Sequence, residues 1–270
     1  MNTFFLDRLN SEPHALAFAG QSTPWPVTLA DQSANPVLDE ALHTHADAAQ
    51  ALLYPVSADL LATTGRPVDL FGFEPNPARL GAAAAASASV PGIALAQLGA
   101  LLDAASLGYN PAVAKPVAVL GHSQGVLAVH MVQAIVEAGS IEAASAQIDE
   151  ILAIATLIGV AGTRQARQLG LAARHGEATP MLSVKDITRA QVDALIKRVS
   201  GARGPIAVAV TNSATHYVLS GYPEDLAAFG VEVAKEHKHQ AKLREEKVRG
   251  GRVFEPVLEY LDVTLPFHSP

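Results

Sequence analysis

Residues 116–138 read Pro-Val-Ala-Val-Leu-Gly-His-Ser-Gln-Gly-Val-Leu-Ala-Val-His-Met-Val-Gln-Ala-Ile-Val-Glu-Ala. The first five form a compact apolar run of the kind that makes a buried strand, and from Val126 to Ala138 the pattern is helical. Gly139 stands just past that helix, where a left-handed residue closes a C-terminus. Between strand and helix lies Gly121-His122-Ser123-Gln124-Gly125. As a bare pattern, Gly-x-Ser-x-Gly arises by chance in roughly one chain in ten of this length. Its setting adds meaning. A serine on a sharp strand-to-helix turn projects its hydroxyl out of the backbone, and the flanking glycines let strand and helix approach closely. The helix start offers N–H donors and a dipole that favours negative charge. A nucleophile that attacks a carbonyl, and must then hold an oxyanion, needs both. The bland alternative is an ordinary N-cap serine in a glycine-rich turn.

Outward from this unit, Ala15–Ala19 reads as a strand that enters a loop at Gly20. Asn35–Leu61 has helical spacing, interrupted at Pro55, and Asp69–Pro77 is loop or short strand. Gly92–Leu107 reads as a helix, and another runs from Ile141 to about Val160. Beyond residue 176 the texture changes. Pro180–Val184, Ile206–Thr211 and Tyr217–Ser220 read as strands, Thr188–Val199 and Pro223–Glu236 as helices. That βαββα order predicts a small ferredoxin-like subdomain. The expected architecture is α/β: a parallel-sheet core over 1–176, the subdomain over 177–242, and a return to the core over 243–270.

The chain has 270 residues, 49% hydrophobic and 17% charged, which suits a well-buried core. A formal net charge of −7 argues against nucleic acid, which is held by clustered Lys and Arg. It leaves room for coenzyme A, whose few phosphates need only a local basic patch. With no cysteine, disulfides and cysteine-based zinc sites are excluded, compatible with a cytoplasmic location. Met1–Gly20 lacks the form of a signal peptide, and the Ala-rich run Gly81–Val90 is too short to span a membrane.

A serine hydroxyl is a poor nucleophile near neutral pH and needs a base. Of ten histidines, His43 and His45, like His237 and His239, form H-x-H pairs on polar segments and read as surface residues, with no metal site expected. His122 adjoins the serine, where neighbouring side chains on a tight turn usually point apart. His268 follows the apolar run Val263-Thr264-Leu265-Pro266-Phe267, so a strand-like segment delivers it. On position alone, a structural histidine and a catalytic base both remain open.

Together, Gly20-Gln21, Gly121–Gly125, Pro266-Phe267-His268-Ser269, and Asn212 with Val218-Leu219-Ser220-Gly221 resemble the malonyl/acetyl acyltransferase family of fatty acid and polyketide synthases. The resemblance spans nearly the whole chain in order. Within the family the chain looks most like the N-terminal acetyltransferase domain of an actinobacterial type I fatty acid synthase, where Gln typically follows the nucleophile as Gln124 does here. The implied fold is an α/β-hydrolase-like parallel-sheet core with an inserted ferredoxin-like subdomain.

The resemblance implies Ser123 as nucleophile and His268 as base. It implies an oxyanion hole from the backbone N–H groups of Gln124 and Gln21, and substrate-binding roles for Ile158, His122 and Asn212. It supplies no catalytic carboxylate, although Asp186, Asp225 and Asp262 lie between serine and histidine. It implies transfer of an acetyl group from acyl-CoA to the phosphopantetheine arm of an acyl carrier protein, with no bound cofactor. The alternatives are malonyl loading and a thioesterase-type hydrolase. Malonyl-selective members carry an Arg immediately before a Gly where this chain has Ile158-Gly159; Arg164 and Arg167 stand close by. The charge-alternating stretch His237–Arg252 reads as a solvated helix or linker. Implied partners are the carrier protein and the other fatty acid synthase domains, in a large homo-oligomer. Family members continue past the histidine with further core strand and helix, so the chain reads as a segment of a longer polypeptide.

Overall fold

The computed structural model describes residues 8–21, 23–64, 69–72, 86–168, 178–199, 204–246 and 254–268. The expectations at 73–77, 81–85 and 247–253, and at Ser269, fall outside these residues. The chain divides into two compact units, residues 1–164 and 165–270. The expected boundary, at 176, lies twelve residues further on than the observed one.

In the first unit, strand β1 (Ala15–Phe18) pairs in parallel with β2 (Ala118–Gly121), from Ala15 opposite Ala118 to Phe18 opposite Gly121. The ladder continues past the strand, because the His122 N–H donates to Phe18 O at 2.9 Å. Around it stand α1 (Trp25–Ser33), α2 (Pro36–Thr64), α3 (Ala86–Ser106), the short α4 (Pro111–Ala114), α5 (Val126–Ala138) and α6 (Ser145–Gln168). Helix α2 runs on through Pro55, where the sequence predicts a break. A helix-interior proline removes one N–H donor and its ring crowds the carbonyl four residues back, yet the helix spans Pro36–Thr64. Helix α5 matches its expected bounds and ends at Gly139 with φ 92°.

Helix α3 is largely apolar and is continuously buried from Ala88 to Ala96. Such a helix belongs in a core. Trp25 of α1 is fully buried and lies where a Cβ on Gly92 of α3 would stand, 2.5 Å from its ring. By length and composition, Ala86–Ser106 and Ser145–Ala166 could each cross a membrane, yet 67% of the first is buried inside the protein. The described part of the Ala-rich run, residues 86–90, opens a 21-residue helix. Strand β2 is less covered than its apolar run predicts: Leu120 is 60% exposed. Among the described residues this sheet has two strands, so part of its surface is left open.

The second unit contains β3 (Met181–Lys185), α7 (Arg189–Val199), β4 (Ala207–Ser213), β5 (His216–Ser220), α8 (Pro223–Glu245) and β6 (Val257–Tyr260). Its antiparallel sheet has the order β4-β5-β3-β6, the ferredoxin-like arrangement. One face buries Leu182, Val184 and Leu219 against Val192, Leu195 and Phe229 of the helices. The other carries Met181 and Val218, which pack with Val263 and Phe267. Here the structure departs from the expected return of 243–270 to the parallel core. Helix α8 extends to Glu245, and β6 pairs with β3 instead of leaving the sheet. The physical reason is edge pairing. A βαββα unit leaves one side of β3 with unpaired N–H and C=O groups, and a fourth strand satisfies them.

Candidate active site

The turn at Ser123 is built as its sequence predicts. Ser123–Gly125 forms one turn of 3₁₀-helix between β2 and α5, and the Gly125 N–H donates to His122 O at 2.9 Å. Ser123 has φ 53°, a left-handed conformation that costs a non-glycine residue about 1–3 kcal/mol. Such strain, held in place by its surroundings, is a mark of functional sites. Two glycines packed at this turn, Gly125 and Gly20, show why they carry no side chain. A Cβ on Gly125 would lie 2.3 Å from Phe18 O. A Cβ on Gly20 would lie 2.6 Å from His122 O and 3.1 Å from Ser123 Cβ. The Gly20-Gln21 loop after β1 therefore presses directly on the serine turn. Both backbones at which oxyanion donors are expected, Gln21 and Gln124, belong to this one packed arrangement, and Gln124 is at the helix start, where N–H groups lack intrahelical acceptors.

Side chains tighten it further. Gln21 Nε2 donates to Gln124 Oε1, and Gln124 Nε2 donates to Val90 O of α3. Gln97 of α3 donates from Nε2 to Ala19 O at 2.7 Å, one residue before Gly20. Sequence reasoning assigns only backbone roles to Gln21 and Gln124. The signal for the rest, a Gln on each of two glycine-flanked loops, is invisible until the loops meet.

Ile158 lies on α6 with 44% exposure. Its neighbour Gly159 packs against the start of α3, where a Cβ would sit 2.3 Å from Ala86 O, and Thr163 Oγ1 accepts from the Ser87 N–H at 2.8 Å. The same helix that receives Gln124 thus also seats α6. His122 is exposed and Ser123 half-buried.

His268 and Asn212 belong to the second unit. His268 is exposed and, at φ 59°, shares the left-handed backbone of Ser123; Phe267 before it anchors on the sheet. The other two non-glycine residues at positive φ among those described are Lys115, a helix C-cap, and Asp186. Asn212 on β4 is exposed and its Nδ2 is 3.4 Å from His216 Nε2 of β5, which also lies 3.1 Å from the buried Ser183 Oγ. Neither His216 nor Ser183 is singled out by sequence.

Two histidine readings change. His45, expected at the surface, is buried, with Nδ1 2.5 Å from Asp149 Oδ1 of α6. Its neighbour His43 stacks on Phe71, ring centroids 3.7 Å apart. His237 is half-buried against Phe254 O at 2.5 Å. A helix turns residues two apart to different faces, so an H-x-H pair divides between core and solvent. Among the described residues no group of three metal-ligating side chains exists.

Comparison with known proteins agrees with this architecture. Residues 180–260 match the family model described as fatty acid synthase central AT domain. Over 164 residues the chain is 27% identical to fatty acid synthase beta subunit hexB of Dothistroma septosporum, covering 56% of this chain and 8% of that subunit. In fold it is similar to MCAT from Mycobacterium tuberculosis, with a TM-score of 0.57 at 20% identity over 96% of this chain and 65% of that one. A loading acyltransferase from the avermectin modular polyketide synthase matches with a TM-score of 0.55 at 18% identity, over 95% of this chain and 63% of that one. The malonyl-transacylase PlMCAT, solved with the type II acyl-carrier protein AntF, matches at 0.52 and 17% identity, over 94% and 64%. The chain thus spans just under two thirds of each solved structure.

Proposed function

We propose that this chain, a member of the acyltransferase family, carries an acyl group on Ser123 between a coenzyme A thioester and the phosphopantetheine thiol of an acyl carrier protein. The observation that carries this reading is Ser123 itself, held at φ 53° on a strand–turn–helix with the Gly20-Gln21 loop packed against it. His268 is the proposed base, and Ile158, His122 and Asn212 are proposed to line the substrate site. The imidazole takes the Ser123 proton as Oγ attacks the thioester carbonyl carbon. The new C–O bond forms, the oxyanion is held by the backbone N–H groups of Gln124 and Gln21, and the C–S bond then breaks. The imidazolium protonates the departing thiolate. Attack by the carrier thiol, its proton passing to the imidazole, reverses these steps and frees Ser123, so no cofactor takes part. Ping-pong kinetics follow.

For the cargo we favour acetyl over malonyl. A malonyl carboxylate needs a cation, best a bidentate guanidinium, and Ile158 offers none. We place the reaction in the cytoplasm, at the start of fatty acid synthesis and within a larger synthase assembly. In labelling with acetyl-CoA, the chain should acquire one acetyl group and Ser123→Ala none; acetylation of that variant would refute the assignment. In competition, acetyl-CoA should outpace malonyl-CoA, and Ile158→Arg should move the ratio toward malonyl. A malonyl preference in the unaltered chain would select that cargo instead, and acyl release to water at the rate of transfer to carrier protein would mark a hydrolase.

A further inference from the structure

The Gln21–Gln124–Val90 chain of hydrogen bonds has one consistent orientation. Val90 O can only accept, so the group Gln124 presents to it is Nε2, and Gln124 Oε1 faces Gln21. That oxygen requires a donor, so Gln21 presents Nε2 in turn. The Gln21 Oε1 atom is left buried and, among the described residues, without a hydrogen-bond partner. A buried acceptor in that state is destabilising. It joins three elements: the loop after β1, the turn at the head of α5, and the core helix α3. Two of these carry the backbone N–H groups that must converge on one developing oxyanion.

We propose that Gln124 is a positioning residue, whose side-chain carboxamide clamps the Gly20-Gln21 loop to the Ser123 turn and to α3 and so sets the mutual geometry of the two oxyanion donors. The inference rests on reading Ser123 as the acyl carrier. Rates of this kind are sensitive to small displacements: a donor or reacting group about 1 Å out of place costs on the order of a hundredfold.

The test compares the unaltered chain with Gln124→Leu, Gln21→Leu and the double variant. Each is assayed for single-turnover acetylation by acetyl-CoA and for labelling of Ser123 by a fluorophosphonate, whose tetrahedral phosphoryl oxygen needs the same donors. Each single variant should lower the maximal rate of both reactions roughly tenfold to a hundredfold while the half-saturating acetyl-CoA concentration stays within about twofold. The double variant should be no slower than the slower single one, because both changes break the same link. Gln21→Leu removes one unpartnered acceptor, Gln21 Oε1, and leaves another, Gln124 Oε1, so the thermal midpoint should shift little and the variant carries the test even if Gln124→Leu folds poorly. Unchanged maximal rates, multiplying effects in the double variant, or a loss confined to apparent affinity would overturn the clamp. An unaltered chain that reacts with the fluorophosphonate but takes no acetyl group defeats the acetyl-transfer reading, while the phosphonate rates still judge the clamp. Failure with both reagents defeats both.

Discussion

Ser123 is useful because its backbone is awkward. A φ of 53° places Ser123 on a tight turn at the head of α5, and the absence of side chains at Gly20 and Gly125 leaves the turn its room. The Gly125 position is the stricter of the two, since an added methyl meets the carbonyls of Phe18 and Ala19 at 2.3 and 2.9 Å, which are backbone atoms that cannot rotate away. Gly125→Ala should therefore push β1 off the turn, lowering stability by about 1–3 kcal/mol and Ser123 acylation by at least tenfold, read from a thermal melt and from acetyl-CoA labelling. Gly121 and Gly125 are visible in the sequence, and their spacing about the serine is what made the turn legible; that Gly20 packs on the same turn is not. The paired glutamines beside them were legible only as residues, because nothing in one dimension says that residues 21 and 124 meet.

Between elements, polar pairs buried or half-buried in the packing were the least legible feature. His45 and Asp149 are 104 positions apart and pin α2 to α6. Asp149→Ala leaves the buried imidazole without its partner and should cost about 1–3 kcal/mol, seen as a lower thermal midpoint with acylation kinetics changed little at a temperature where the fold is intact. Helices α7 and α8 are joined by Arg198 and Glu236 at 2.8 Å. Hydrogen bonds from Gln240, then from Arg198, hold the Glu236 carboxyl below its ordinary value. A lowered carboxylate pKa stabilises the fold at pH values above the usual carboxylate range. That contribution disappears as pH falls through the lowered value. Glu236→Gln should accordingly reduce stability by about 0.5–1 kcal/mol at pH 7 and by progressively less below pH about 4, in denaturant titrations run across pH. The strands and helices themselves were mostly predictable from apolar period. β6 was missed because Val257-Leu258-Glu259-Tyr260 is short and mixed in polarity, and its identity as a strand comes from the open edge of β3.

Over the whole molecule, the proposed nucleophile belongs to the first unit and the proposed base to the second. Both occupy left-handed backbone, at φ 53° and 59°, although neither is glycine. His268→Ala should leave the melting behaviour of the protein close to unaltered, because the side chain is exposed, and should slow Ser123 acetylation by about a hundredfold to ten-thousandfold. Full acylation by that variant would assign the base elsewhere.

Local chemistry made the strand–turn–helix, the helix stop at Gly139 and the βαββα order readable from residue order, because each depends on contacts a few residues apart. Resemblance in scattered short motifs then extended that reading to a family and to His268. The division at residue 164, the fourth strand of the antiparallel sheet, the burial of His45 and the glutamine clamp were settled only by folding. Each depends on which groups, distant along the chain, are left unpaired or uncovered when the elements pack, and that information resides in the three-dimensional neighbours and not in the residue types.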